Sequence, residues 1–212
     1  MKNNFPTFSP IFDRGTIYLG FLLFESNDLN EAVSFIRDAC SKSKNPSSEI
    51  MSLLFENGWR EHLLAAIAIL TQKNLSPEIC RELWRAFDQG SWVSPQLAVI
   101  AWLRDPNFGS NAQARIRNGC PQDTTNIDLL PSIERHVAAG PTSNSQRSAK
   151  GLSALVYLIG LSEKAKGWLT KELKRDELAR LLNQDEDFGG KIAEKWLANV
   201  RLKSKSLGLE IN

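Results

Sequence analysis

At 212 residues the chain is long enough to bury a sizeable core, as one large domain or two small ones. Its 42% hydrophobic and 24% charged residues are those of an ordinary soluble globular protein. Lys+Arg 26 against Asp+Glu 24 leaves a net charge of +2, too balanced for a chain that lives on a phosphate backbone, and the balance also holds locally.

Phe5-Pro6-Thr7-Phe8-Ser9-Pro10-Ile11-Phe12 alternates aromatics with prolines, which rules out a helix interior and suits a cap packed over the first helices. Ile17–Glu25 reads as helix. Asp28 followed by Glu31 resembles a capping box and starts a helix through about Ser41, with Ser41–Asn45 a polar linker. Ser47 or Ser48 caps a helix through Glu56, which Asn57-Gly58 ends. Trp59–Lys73 follows as an interior helix, because Leu63–Leu70 is apolar on nearly every side and must be covered on every side. Ser76-Pro77-Glu78 combines a cap, a proline at the first helical position and an acid at the positive dipole end. That helix runs to about Asp88 and stops at Gln89-Gly90. Ser94-Pro95-Gln96 repeats the device for a helix to Arg104, which Asp105-Pro106 breaks.

Beyond Asp105 a short helix is expected at Ser110–Arg117, a loop at Pro121–Asn126, a helix at Asp128–Ala139 and a flexible connection at Gly140–Ser145. Gln146–Gly160 reads as another interior helix. Ser162 is expected to cap a long amphipathic helix, Glu163–Asn183, with Trp168, Leu169, Leu173, Leu178, Leu181 and Leu182 on its inner side. After an acidic turn at Asp185–Gly190, Lys191–Lys203 closes the chain as a polar-backed terminal cap.

Three segments share one pattern: Leu64–Leu70 reads LAAIAIL, Leu97–Leu103 reads LAVIAWL, and Leu152–Leu158 reads LSALVYL. Leu22-Leu23-Phe24-Glu25 recurs as Leu53-Leu54-Phe55-Glu56, and Leu64–Leu70 maps onto Leu97–Leu103 at an offset of 33. A period in the low thirties, built of two helices with a Gly or Asn turn, is the signature of a helical repeat array. Leu53–Leu70 and Ala86–Leu103 resemble a HEAT or armadillo-type α-solenoid, without that family's usual Asp and Arg placement in the second helix. The resemblance covers about half the chain. It implies an all-α fold, a right-handed α-α superhelix of stacked antiparallel helix pairs with about 10–11 helices, whose concave face binds a protein or nucleic acid. One all-helical domain follows: a cap segment over 1–14, regular helix pairs over 15–105, an irregular segment over 106–146 and C-terminal helices over 147–204.

Cys40, Cys80 and Cys120 form no CxxC pair, and an odd count of isolated thiols suits a reducing, cytoplasmic home. The N-terminus lacks a signal-peptide core, and apolar runs of about eight residues fall far short of the roughly 20 needed to span a bilayer. No cofactor is implied: phosphate loops, nucleophile dyads and metal-ligand spacings are missing from the sequence. His62 and His136 each stand alone and read as surface or cap-site residues rather than metal ligands. Glu78 and Glu82 interleave with Arg81 and Arg85 as ion pairs on a solvated helix face, not as paired catalytic acids.

Trp59 and Trp92 occupy equivalent places at the start of the interior helices. They serve either to pack the turn between repeats or to form a ridge suited to binding. The expected function is non-enzymatic: a module that binds another protein through Trp59, Arg60, His62, Trp92 and Gln96, with an inhibitor or immunity-type protein one concrete version. The alternative is a nucleic-acid-binding or DNA-processing protein like the HEAT-like DNA glycosylases, with Arg115, Arg117, Arg135, Arg147 and Lys150 as its basic groove, against which the near-neutral charge counts.

Overall fold

The computed structural model describes residues 5–12, 19–25, 28–118, 144–185, 188–209 and 211. Within them the chain is all helix: α1 (Ser9–Phe12), α2 (Leu19–Leu23), α3 (Leu29–Lys42), α4 (Pro46–Phe55), α5 (Trp59–Thr71), α6 (Pro77–Asp88), α7 (Ser94–Arg104), α8 (Phe108–Asn118), α9 (Asn144–Gly160), α10 (Lys166–Glu172), α11 (Asp176–Leu182) and α12 (Gly189–Leu207). The expected helix at Asp128–Ala139, the loop before it, Cys120 and His136 lie outside the described residues.

The two apolar helices sit at the centre, as their sequences demand. Every residue of α5 from His62 to Leu70 is buried, and so is every residue of α7 from Ser94 to Leu103 except the half-buried Trp102. α4 packs on α5 and on α6, α6 packs on α7, and α5 packs on α7, so two helix pairs lie one against the other. Two bonds between them span 31 and 32 positions. Arg85 Nη2 donates to Leu54 O at 2.8 Å, 31 positions back, and Arg104 Nη2 donates to Gln72 O at 2.5 Å, 32 positions back.

The caps obey the expected chemistry at Ser76, whose Oγ accepts from Ile79 N, but not elsewhere. Asn45, not a serine, caps α4 by accepting from Ser48 N at 3.1 Å, with Pro46 opening the helix. Asp28 makes no capping bond, because its backbone (φ −92°, ψ 4°) is not in the extended conformation an N-cap needs. Ser94 is already helical, after Val93.

The single long helix expected at Glu163–Asn183 is instead a 3-10 turn (Glu163–Ala165) followed by α10 and α11, and Ser162 makes no capping bond. Leu169 and Leu178 are both buried. Nine residues apart on a straight helix, they would point in opposite directions at 100° per residue. The break at Leu173–Arg175, closed by tight i→i−3 bonds from Lys174 and Arg175, turns both onto α9 and leaves Leu173 39% exposed.

α12 is not a terminal cap. It packs on α9 and α7 and then reaches α2 and α3 at the other end of the chain. Trp196 Nε1 donates to Phe21 O at 2.8 Å, Asn199 Nδ2 to Leu23 O at 2.7 Å, and the Arg37 guanidinium to Leu207 O. First and last helices thus interlock, whereas an open array pairs each unit only with its neighbours. The close crossing requires Gly189, where a Cβ would stand 2.0 Å from Lys150 O. Phe8 and Ile11 of the N-terminal segment are buried, and Thr7 ties it to Glu49 at the start of α4. The buried apolar residues form one continuous cluster from Phe8 to Leu209.

Candidate functional site

Stacking the two helix pairs brings the α4–α5 turn beside the α6–α7 turn. The Trp59 and Trp92 rings meet edge to face at 5.5 Å between centroids, and Trp92 remains 47% exposed. Phe55, at the end of α4, is 64% exposed. Each of the three aromatics carries a cation: Arg60 lies 5.4 Å from the Trp59 ring, Lys150 Nζ 5.0 Å from the Trp92 ring and Arg85 4.8 Å from the Phe55 ring. Such contacts are worth about 0.5–1 kcal/mol each at a surface, and they hold flat rings in fixed orientations. The edge is aromatic, with a cation against each ring.

His62 and Gln96 do not belong to that surface. His62 is fully enclosed, with Nδ1 2.8 Å from Ser91 Oγ and Nε2 2.6 Å from Glu56 O and 3.2 Å from Leu54 O. Two carbonyls facing Nε2 assign the proton to that nitrogen, so Nδ1 accepts from the Ser91 hydroxyl. Burial lowers the imidazole pKa to about 4, helped by the charge of Arg85 and opposed by the two carbonyl contacts. A histidine expected at the surface is a neutral bolt between the two turns. Gln96 is likewise buried, its Nε2 donating to Leu22 O at 3.0 Å. Both hold up the edge from beneath.

Of the five basic residues expected to form a groove, the structure describes the side chains of Arg115, Arg117 and Lys150. Arg115 makes a two-pronged pair with Asp88, both bonds at 2.6 Å, and Lys150 is buried under Trp92. Arg117 lies 3.6 Å from Glu172 and faces the Trp168 ring. Arg135 and the side chain of Arg147 lie outside what the structure describes.

A second constellation lies along the outer face of α6, where it meets α8 and the Asp105–Asn107 turn. Trp84 Nε1 donates to Asp105 Oδ2 at 2.7 Å, and Asn107 N and Asn111 Nδ2 donate to the same carboxylate. The Arg115 guanidinium covers the Trp84 ring at 4.2 Å. Burial raises the Asp88 pKa against the opposing pull of Arg115. Burial, with the nearby charge of Asp105, pushes the Cys80 thiol up to about 11, so this cysteine is a poor nucleophile. Glu82 pairs with Arg85 at 2.6 Å, as the helix spacing predicts. The rest of the constellation escaped sequence reasoning because its partners stand 21 and 27 positions apart. A buried Asp just past a helix end and a tryptophan on the preceding helix, 21 positions earlier, carry no local signal.

Among the described residues no group of three His, Cys, Asp or Glu is placed to hold a metal ion, and no helix is long and apolar enough to cross a membrane. No family model, no curated protein and no solved structure matches this chain.

Proposed function

We propose that the chain is a protein-binding module that takes its partner on the aromatic edge formed by Phe55, Trp59 and Trp92, with Arg60 beside them. The observation that carries the reading is the exposure of Phe55 and Trp92 next to a fixed Trp59, each ring with a cation on it. Tryptophan and arginine dominate binding hot spots, and ordered rings lose little entropy on docking. The pairing of α4–α5 with α6–α7, bridged at 31 and 32 positions, supports reading them as two copies of a HEAT-like unit in a right-handed superhelix that α12 closes. An inhibitor or immunity-type protein that neutralises a partner enzyme or toxin is one form such a module takes.

Affinity capture from the native host, run in parallel with the wild type and a Trp59→Ala/Trp92→Ala variant of unchanged circular dichroism, tests the reading. A partner retained by the wild type is expected to lose at least about 2 kcal/mol of affinity for the variant, since two central aromatics are removed. Equal retention by both forms refutes the assignment of this edge.

A further inference from the structure

The cleft along α6 and α8 has a volume of about 770 Å³, within the range of small-molecule sites, and shares Arg85 with the aromatic edge. Its floor is apolar, supplied by Leu75, Pro77 and the flank of Trp84. Its polar groups are unevenly used. Both carboxylates are occupied: Asp105 accepts from an indole, a backbone N–H and an amide, and Asp88 accepts twice from Arg115. Of the cations, Arg115 is fully engaged with Asp88, whereas Arg81 and part of the Arg85 guanidinium are less used. Arg81 lines the cleft and, among the described residues, is held only by the charge of Glu78 one turn back on the same helix. Arg85 uses Nε on Glu82 and Nη2 on Leu54 O, which leaves Nη1 for a visitor. Along the same helix face, at its C-terminal end, the Gln89 Oε1 atom is buried without a donor.

We propose that this cleft is a binding site for a small anionic molecule, one bearing a phosphate or carboxylate group on a flat apolar body. Arg81 grips the anion, with Arg85 beside it one helical turn on. The apolar floor takes the body of the ligand. Arg115 is not a ligand contact of first importance. Its pairing with Asp88 and its place over Trp84 fix the wall against which the ligand lies.

The test is calorimetric titration of the full chain with phenyl phosphate, benzoate, inorganic phosphate and benzyl alcohol. The Trp84 indole N–H signal is followed by NMR to locate each ligand. Phenyl phosphate or benzoate is expected to bind saturably with a Kd of about 1 mM or tighter and to shift that signal. Arg81→Ala, at an exposed position where its fold interaction is with the exposed Glu78, is expected to weaken binding at least about tenfold. The tighter of the two aromatic anions identifies phosphate or carboxylate as the recognised group, and weaker binding of bare phosphate supports the role of the floor. Benzyl alcohol binding as tightly as the anions, an Arg81→Ala Kd within about twofold of wild type, or no saturable binding by either aromatic anion overturns the proposal.

Discussion

His62 makes the stability of this protein depend on pH in a specific window. In the unfolded chain the imidazole takes up a proton as pH falls through about 6.5. In the folded chain burial withholds it until about 4. Between those values the unfolded state holds one proton more, so the free energy of unfolding falls by about 1.4 kcal/mol per pH unit and is fully retained above 6.5. Over the whole window the loss is about 3 kcal/mol, a large part of the 5–15 kcal/mol typical of a domain. Asp88 acts oppositely at the lower end. Burial raises its folded pKa, so folding favours its protonation and offsets part of the loss as the carboxyl titrates. Comparison with a non-titrating His62→Gln variant isolates the histidine. Urea denaturation of both proteins at half-unit steps from pH 7.5 to 4.5 is expected to give curves that converge as pH falls. Parallel curves, with slopes equal within about 0.3 kcal/mol per pH unit, refute the neutral buried imidazole.

Other perturbations test the crossing and the closure. Gly189→Ala places a methyl 2.0 Å from the Lys150 carbonyl, so thermal denaturation is expected to show a loss of about 1–3 kcal/mol or more, whereas Gly190→Ala, 3.3 Å from Ser153 O, costs much less. Trp196→Phe leaves the buried Phe21 carbonyl without its donor and is expected to cost about 1–3 kcal/mol in urea denaturation. Removal of α12 by a stop after Asp185 is expected to abolish the cooperative unfolding transition in circular dichroism, because α7, α9, α2 and α3 all lose a packing face. In a neighbour-only array the remaining helices would keep their transition.

What the sequence revealed follows from the range of the interactions involved. α5 and α7 were legible because a helix apolar all round has one destination, whereas the edge-to-face meeting of Trp59 with Trp92 was open in the sequence between turn packing and a ridge. The break between α10 and α11 was hidden because Leu169, Leu173 and Leu178 satisfy a loose helical pattern. Only the position of α9 decides which of them go inward. His62 misled because a lone histidine at a helix start is usually wet. Its enclosure depends on Ser91, 29 positions on, and on two carbonyls at the end of α4. The anion cleft depends on α8 packing over α6, which no periodicity within either helix encodes.

The grip of Trp196 on Phe21 has a consequence for synthesis on the ribosome. The two residues are separated by 175 positions. At about 5–20 residues per second the partner arrives roughly 9–35 s after Phe21 has been made. Phe21 and Phe24, both fully enclosed in the finished protein, lack this cover throughout that interval, with Phe24 waiting on the same tryptophan ring. The nascent chain therefore carries Phe21 and Phe24 as exposed apolar surface until α12 has been made and can seal them.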